Sequence, residues 1–323
     1  MKALYLSSGN KVELIEKEIP VPSEDESLIK IIYAGICNTD IELIKGYMDF
    51  TGVLGHEFVG KVMESNDKNL VGKRIAGEIN LGCGRCNYCL TGNKEHCKNR
   101  SVLGIYKKDG CFTEYINLPT ANCMLIPDSV SNENAVFIEP LAAALRIVQQ
   151  VKFNPDKKIA ILGDGKLGLL IALVLSSFGI YQISLIGRHK NKMDIIKNIT
   201  NLSDFYLSTK KISNQFDYVI EATGSSDGFA NALEIVNPLG TVILKSTVAD
   251  YKNINLAPIV IKEINLIGSR CGHFKPAIMF LENFKPELDK LISAVFPIDE
   301  WENAFMKAME KDSVKVIFDF KCK

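Results

Sequence analysis

KIAILGDGKLGLLIALVLSSF, residues 158–178, is the stretch on which the fold turns: a short β-branched apolar run, a glycine loop, then an apolar run of helical length. Gly163, Gly165 and Gly168 form G-x-G-x-x-G directly after the strand KIAIL, and Lys166 and Leu167 open the helix that follows. The first glycine permits a tight turn, the second lets backbone approach a pyrophosphate, and the third lets helix and strand pack closely. The helix N-terminus adds N–H donors and positive dipole. A ligand-free glycine turn is the alternative for such a motif standing alone, and the flanking strand and helix argue against it.

Outward from this point the pattern continues. From Lys157 to Ala249, apolar strands (KIAILG, QISLIG, YVIEAT, GTVILKS) alternate with helical stretches (LGLLIALVLSSF, KMDIIKNI, GFANALEIV), as a right-handed parallel α/β sheet requires. NLIGSRCG reads as one more strand. From Met1 to about Asp128 the chain shows short alternating strands with Gly and Pro punctuation, a mainly β domain. Asn132 to Val151 reads as helix, and the tail from about Pro276 ends in the strand-like VKVIFDF, which is expected to rejoin the first domain.

Composition excludes several classes. The chain has 323 residues, 47% hydrophobic and 24% charged, with 38 basic against 38 acidic side chains. Zero net charge provides no general field for nucleic acid or anionic membrane, so the expected partner is a small-molecule substrate. The longest apolar stretch, Ile159 to Ile180, is broken by Asp164, Lys166 and glycines and reads as buried strand and helix, not a membrane span. The N-terminus lacks a secretory pattern, and the nine cysteines cluster like ligands, so a cytoplasmic enzyme is expected.

Cys83, Cys86, Cys89 and Cys97 stand in C-x2-C-x2-C-x7-C. Four thiolates within one loop satisfy a tetrahedral Zn2+ completely, which builds structure and leaves no open position for chemistry. Neighbouring thiols at this spacing are poorly placed for disulfides, and a redox pair needs two cysteines rather than four. The strand QISLIG ends in Gly187, Arg188, His189 and Lys190, where an NAD site carries an acidic residue roughly 20 residues beyond the glycine motif. Loss of that carboxylate relieves repulsion of a 2′-phosphate, and Arg188 with Lys190 attracts it, so NADP(H) is expected over NAD(H). A solvated basic turn is the alternative.

GICNTD (35–40) and GHEFVG (55–60) bring a thiolate, an imidazole and a carboxylate into the β domain, a set suited to a catalytic zinc with one exchangeable position. With the four-cysteine lobe, GCFTEY, FIEPLAAAL, GDGKLG and VIEATGS in the same order, the chain resembles the zinc-dependent medium-chain dehydrogenase/reductase family, which includes alcohol, sorbitol, threonine and glucose dehydrogenases.

The resemblance implies a GroES-like, mainly β catalytic domain over residues 1–140, rejoined by 276–323, and a doubly wound Rossmann domain over 141–275. It implies that Cys37 and His56 bind a catalytic zinc, that Glu57 is a ligand or exchange partner, and that Glu139 binds zinc directly or through its water, as in the polyol and sugar branch. Asp40 would orient the His56 ring, Thr39 would relay a proton, and Thr223, Ser269 and Arg270 would lie near the nicotinamide. Two zinc ions per subunit and a homo-oligomer, dimer or tetramer, follow by the same analogy. The expected activity is hydride transfer between NADP(H) and an alcohol or carbonyl of a polyol, sugar or secondary alcohol. The rivals are a zinc-independent quinone or enone reductase and a non-catalytic nucleotide sensor of the same fold.

Overall fold

The computed structural model describes residues 1–180, 182–200, 202, 204–207, 215–247 and 254–320. Ala249, the end of the expected α/β run, lies outside them. The chain divides into two compact units, Met1–Glu139 with His273–Lys323, and Pro140–Gly272.

After an N-terminal hairpin of strands Lys2–Leu6 and Val12–Glu16, the elements of the first unit that position the site include β1 (Glu26–Gly35), α1 (Asn38–Ile44), β2 (Glu57–Glu64), β3 (Arg74–Gly77), β4 (Tyr115–Pro119) and β5 (Cys123–Leu125). Helix α1 starts where Cys37 turns extended and the Asp40 carboxylate accepts the Cys37 backbone N–H at 2.8 Å, a reciprocal capping arrangement. Gly55 precedes β2 at φ +95°, and a Cβ there would lie 2.4 Å from the Phe112 ring, so both backbone and packing demand glycine.

The single helix expected over 132–151 is two: α2 (Asn132–Ala135) and α3 (Ile138–Gln150). Pro140 has no N–H to return to the Val136 carbonyl, so the i→i−4 ladder is interrupted where the break occurs.

The second unit is a parallel sheet with helical connections: β6 (Ile159–Leu162), α4 (Lys166–Ser177), β7 (Ile183–Gly187), α5 (Lys190–Ile199), β8 (Asp204–Leu207), β9 (Phe216–Glu221), α6 (Ser226–Ile235), β10 (Val236–Leu244) and β11 (Asn265–Gly268). The spatial order is β8-β7-β6-β9-β10-β11, the doubly wound dinucleotide-binding order. Strands β6 and β7 are buried at every residue, as parallel strands covered on both faces must be. Phe216, Val219, Phe229, Leu233 and Val242 form the core between sheet and helix. Strand β8 was not expected: it is a short edge strand with exposed ends and leaves little hydrophobic pattern.

The chain then returns to the first unit with β12 (Ile292–Pro297) and β13 (Lys315–Asp319). β13 pairs antiparallel with β1, producing a sheet of order β5-β3-β2-β1-β13-β12 with β4 also on β1. Phe318 of β13 meets Phe112 edge to face at 5.0 Å, fixing the ring that packs against Gly55. Among the described residues, no helix is long and apolar enough to cross a membrane.

Backbone approaches closely in the glycine loop, where a Cβ on Gly168 would lie 1.9 Å from the Gly163 carbonyl oxygen. Gly168→Ala is expected to push α4 off β6, cost about 1–3 kcal/mol and lower the thermal midpoint by several degrees. Differential scanning calorimetry checks this, and an unchanged midpoint would refute the packing role.

Candidate metal and nucleotide sites

Cys37 at the start of α1 and His56 and Glu57 at the start of β2 converge: one ligand atom from each lies within 4.8 Å of the others. His56 is 3% exposed and Glu57 fully buried. Asp40 uses its two oxygens differently. Oδ2 holds the Cys37 N–H, while Oδ1 faces His56 Nδ1 at 3.2 Å. That second contact is too poorly aligned to count as a hydrogen bond, and it leaves both atoms buried without one. Burial alone would push the His56 pKa down, but the Asp40 carboxylate and the Cys37 thiol outweigh it and hold the imidazole well above its usual value. Thr39 Oγ1 stands 3.8 Å from Cys37 Sγ.

Lys315, the first residue of β13, is the participant the sequence did not announce. Its Nζ pairs with Glu57 Oε2, and both side chains are wholly buried. Burial pushes the lysine pKa down to about 8 against the opposing pull of Cys37 and Asp40. Its ammonium lies 5.5 Å from the centre of the Phe137 ring. Gly35 makes the room: a Cβ there would meet Glu57 Oε2 at 2.8 Å and Lys315 Nζ at 2.9 Å. The only signal in the sequence was a lysine inside the apolar run VKVIF. Cys111 is also buried against this site, its Sγ 3.7 Å from the Glu57 carbonyl oxygen.

This donor set fits a divalent cation. A thiol, an imidazole and a buried carboxylate converge, with the Asp40 carboxylate behind the imidazole and the Lys315 ammonium against Glu57. Glu139, in the first turn of α3, is half-buried and is not among the three converging residues.

Cys83, Cys86, Cys89 and Cys97 likewise place their sulfurs within 4.8 Å of one another. The Cys83 N–H points to Cys97 Sγ at 3.4 Å, and Cys86 Sγ lies 3.6 Å from Cys89 Sγ. Backbone N–H groups of Arg85 and Cys86 draw the Cys83 thiol down to about 6, while burial pushes Cys89 up to about 11. The all-sulfur donor set suits a closed tetrahedral zinc.

In the second unit, Gly163 takes φ +110° at the end of β6, and Gly165 caps α4 with open space where its side chain would be. That space, with the first-turn amides of Lys166 and Leu167 behind it, fits a pyrophosphate. Thr223 donates both its N–H and its hydroxyl to Glu221 Oε1, at 2.8 and 2.6 Å. Ser269 Oγ and the Arg270 carbonyl oxygen hold the buried Lys245 ammonium. The expected absence of a carboxylate at the end of β7 does not hold in three dimensions. Asp164, from the glycine loop, reaches over to accept the N–H groups of Arg188 and His189 at 2.7 and 2.6 Å. Arg188 and Lys190 are exposed beside it.

Lys315→Met removes the cation from Glu57. In metal-stripped protein this is expected to cost about 3–5 kcal/mol, and added Zn2+ should recover much of that loss. Thermal melts with chelator and with zinc measure both, and equal destabilisation in the two would show that Lys315 and the metal do not share a site.

Comparison with known proteins places these sites in a lineage. Residues 23–128 match the alcohol dehydrogenase GroES-like domain and residues 132–320 the glucose dehydrogenase C-terminus. D-arabinitol dehydrogenase 1 of Uromyces fabae is 27% identical, the match covering 98% of this chain and 96% of the relative. A structure described as a short chain alcohol dehydrogenase (rspB) from E. coli CFT073, complexed with NADH, superposes with a TM-score of 0.92 at 25% identity, covering 99% of each chain. A zinc-binding dehydrogenase of Sinorhizobium meliloti bound to NADP superposes at 0.88 with 27% identity over 98% of each chain. With both halves matched in one continuous order, the chain belongs to the zinc-type medium-chain dehydrogenases, and it is an oxidoreductase of the kind that acts on CH–OH groups.

Proposed function

We propose that the protein is a zinc-dependent dehydrogenase that moves a hydride between a nicotinamide dinucleotide and the carbinol carbon of a polyol or sugar, with NADP(H) used in preference to NAD(H). The observation that carries this reading is the convergence of Cys37, His56 and Glu57 in a largely buried pocket within a chain that matches a D-arabinitol dehydrogenase along its length. A zinc ion held by Cys37 and His56, with Glu57 and Glu139 as further carboxylate donors, would supply Lewis acidity to the substrate oxygen, and the nicotinamide would supply or accept the hydride.

The chain's own residues do the rest. Asp40 fixes the Cys37 backbone and faces the His56 ring, holding both donors in place. Thr39 Oγ1, beside the thiolate, takes up the proton of the substrate hydroxyl and passes it outward. Lys315 sets its ammonium against the Glu57 carboxylate inside the fold, offsetting its charge. In the second unit the glycine loop carries the pyrophosphate, and exposed Arg188 and Lys190 are positioned to attract a 2′-phosphate. The four-cysteine lobe holds a second, structural zinc. Exposed Val260, Ile261 and Leu266, on and just before the edge strand β11, support assembly into a homo-oligomer, and the eight free cysteines among the described residues support a reducing, cytoplasmic setting.

Purified protein is expected to carry two zinc equivalents per chain by elemental analysis and to oxidise at least one member of a panel of pentitols, hexitols and their phosphates. Cys37→Ala or His56→Ala should lower kcat by at least about 10³-fold while leaving dinucleotide affinity intact. Full activity in either variant would overturn the mechanism, and binding without turnover on every substrate would favour a nucleotide sensor. Arg188→Ala should raise the KM for NADPH roughly ten-fold and leave that for NADH unchanged.

A further inference from the structure

Position 187, at the carboxyl end of β7, is where a dinucleotide-binding fold presents the acidic side chain that reads the adenosine ribose. Here it is glycine, and the space is filled from another part of the chain. A Cβ built on Gly187 would fall 2.4 Å from Cβ, Cγ and Oδ2 of Asp164. Asp164 lies inside the glycine motif, one residue past the turn at Gly163, and its side chain crosses from the end of β6 to the end of β7. There Oδ2 takes the backbone N–H groups of Arg188 and His189, and both carboxylate oxygens lie 3.1 Å from His189 Nδ1. Burial alone would push this carboxyl up, but the His189 and Arg188 hydrogen bonds outweigh it and hold it below the usual range, so it is ionised at neutral pH.

We propose that Asp164 is the residue that limits selection for the 2′-phosphate, its carboxylate standing in for the acidic group missing at Gly187. This rests on the nucleotide site proposed above. The amides of Arg188 and His189 lie just past the end of β7, the strand end at which a dinucleotide-binding fold reads the ribose, and Asp164 occupies both. A 2′-phosphate is therefore left to the side chains of Arg188 and Lys190, and it meets a fixed negative charge beside them. A ribose hydroxyl meets no such repulsion. The two basic side chains and the carboxylate oppose each other, and the balance leaves both dinucleotides usable.

Isothermal titration of the zinc-loaded protein with NADH and NADPH tests this without any substrate. Wild-type protein is expected to discriminate between the two by less than ten-fold. Asp164→Asn keeps the shape and an acceptor but loses the charge, and it should shift the affinity ratio at least ten-fold towards NADPH, with Asp164→Ala moving it the same way. A wild-type preference of ten-fold or more for NADPH would overturn the proposal. So would variants that weaken both ligands equally, which would make Asp164 only a brace for the turn. Should the variants fail to fold, the wild-type ratio alone decides. Absence of binding by either dinucleotide to wild-type protein would instead bring down the nucleotide site itself.

Discussion

Charge buried without water is the constraint around which the first unit is organised. Glu57 and Lys315 are both fully enclosed, and neither could be ionised there alone without a penalty of several kcal/mol. Their pairing joins Glu57 to Lys315 in β13, so the Cys37–His56–Glu57 pocket and that strand are mutually dependent. Gly35 leaves room for the pair, and Cys37 and His56 bring their donor atoms to Glu57 with Asp40 behind them. The thiol, imidazole and carboxylate it brings together are donors suited to a divalent ion.

The second unit solves a different problem: bringing an anion close to backbone. Gly163 supplies a left-handed turn, Gly168 lets α4 lie against the loop, and Gly165 leaves the front of the helix open. Close approaches of neighbouring backbone exclude a side chain at Gly163 and Gly168, while Gly165 has open space before it. Asp164 sits between them and ties the loop to the neighbouring strand end, so pyrophosphate cradle and ribose contact region form one hydrogen-bonded piece.

Much of this was legible in the linear chain. The glycine motif between an apolar strand and an apolar helix, the alternation that follows it and the spacing of the four cysteines are local patterns, and local patterns reflect local periodicity and ligand geometry. Cys37 and His56 were recognisable because the segments around them keep a family order. Lys315 was not, since a lysine in VKVIF is indistinguishable from an exposed strand residue until β13 is laid against β1. Strand β8 was missed because an exposed edge needs no apolar face, and the break in the helix at Phe137 depends on a proline that reads equally well as a first-turn residue.

The carboxylate at the end of β7 is the sharpest case. Residues 187–190 read as basic and free of acid, and that is a correct statement about the sequence; the fold delivers Asp164 to the same place from the preceding strand end. The sequence alone determined the two kinds of architecture and the four-cysteine cluster, because those depend on period, spacing and backbone freedom. Tertiary structure alone decided which charges face one another, because electrostatic partners are chosen by distance in space, and parallel strands bring together residues that the chain keeps far apart.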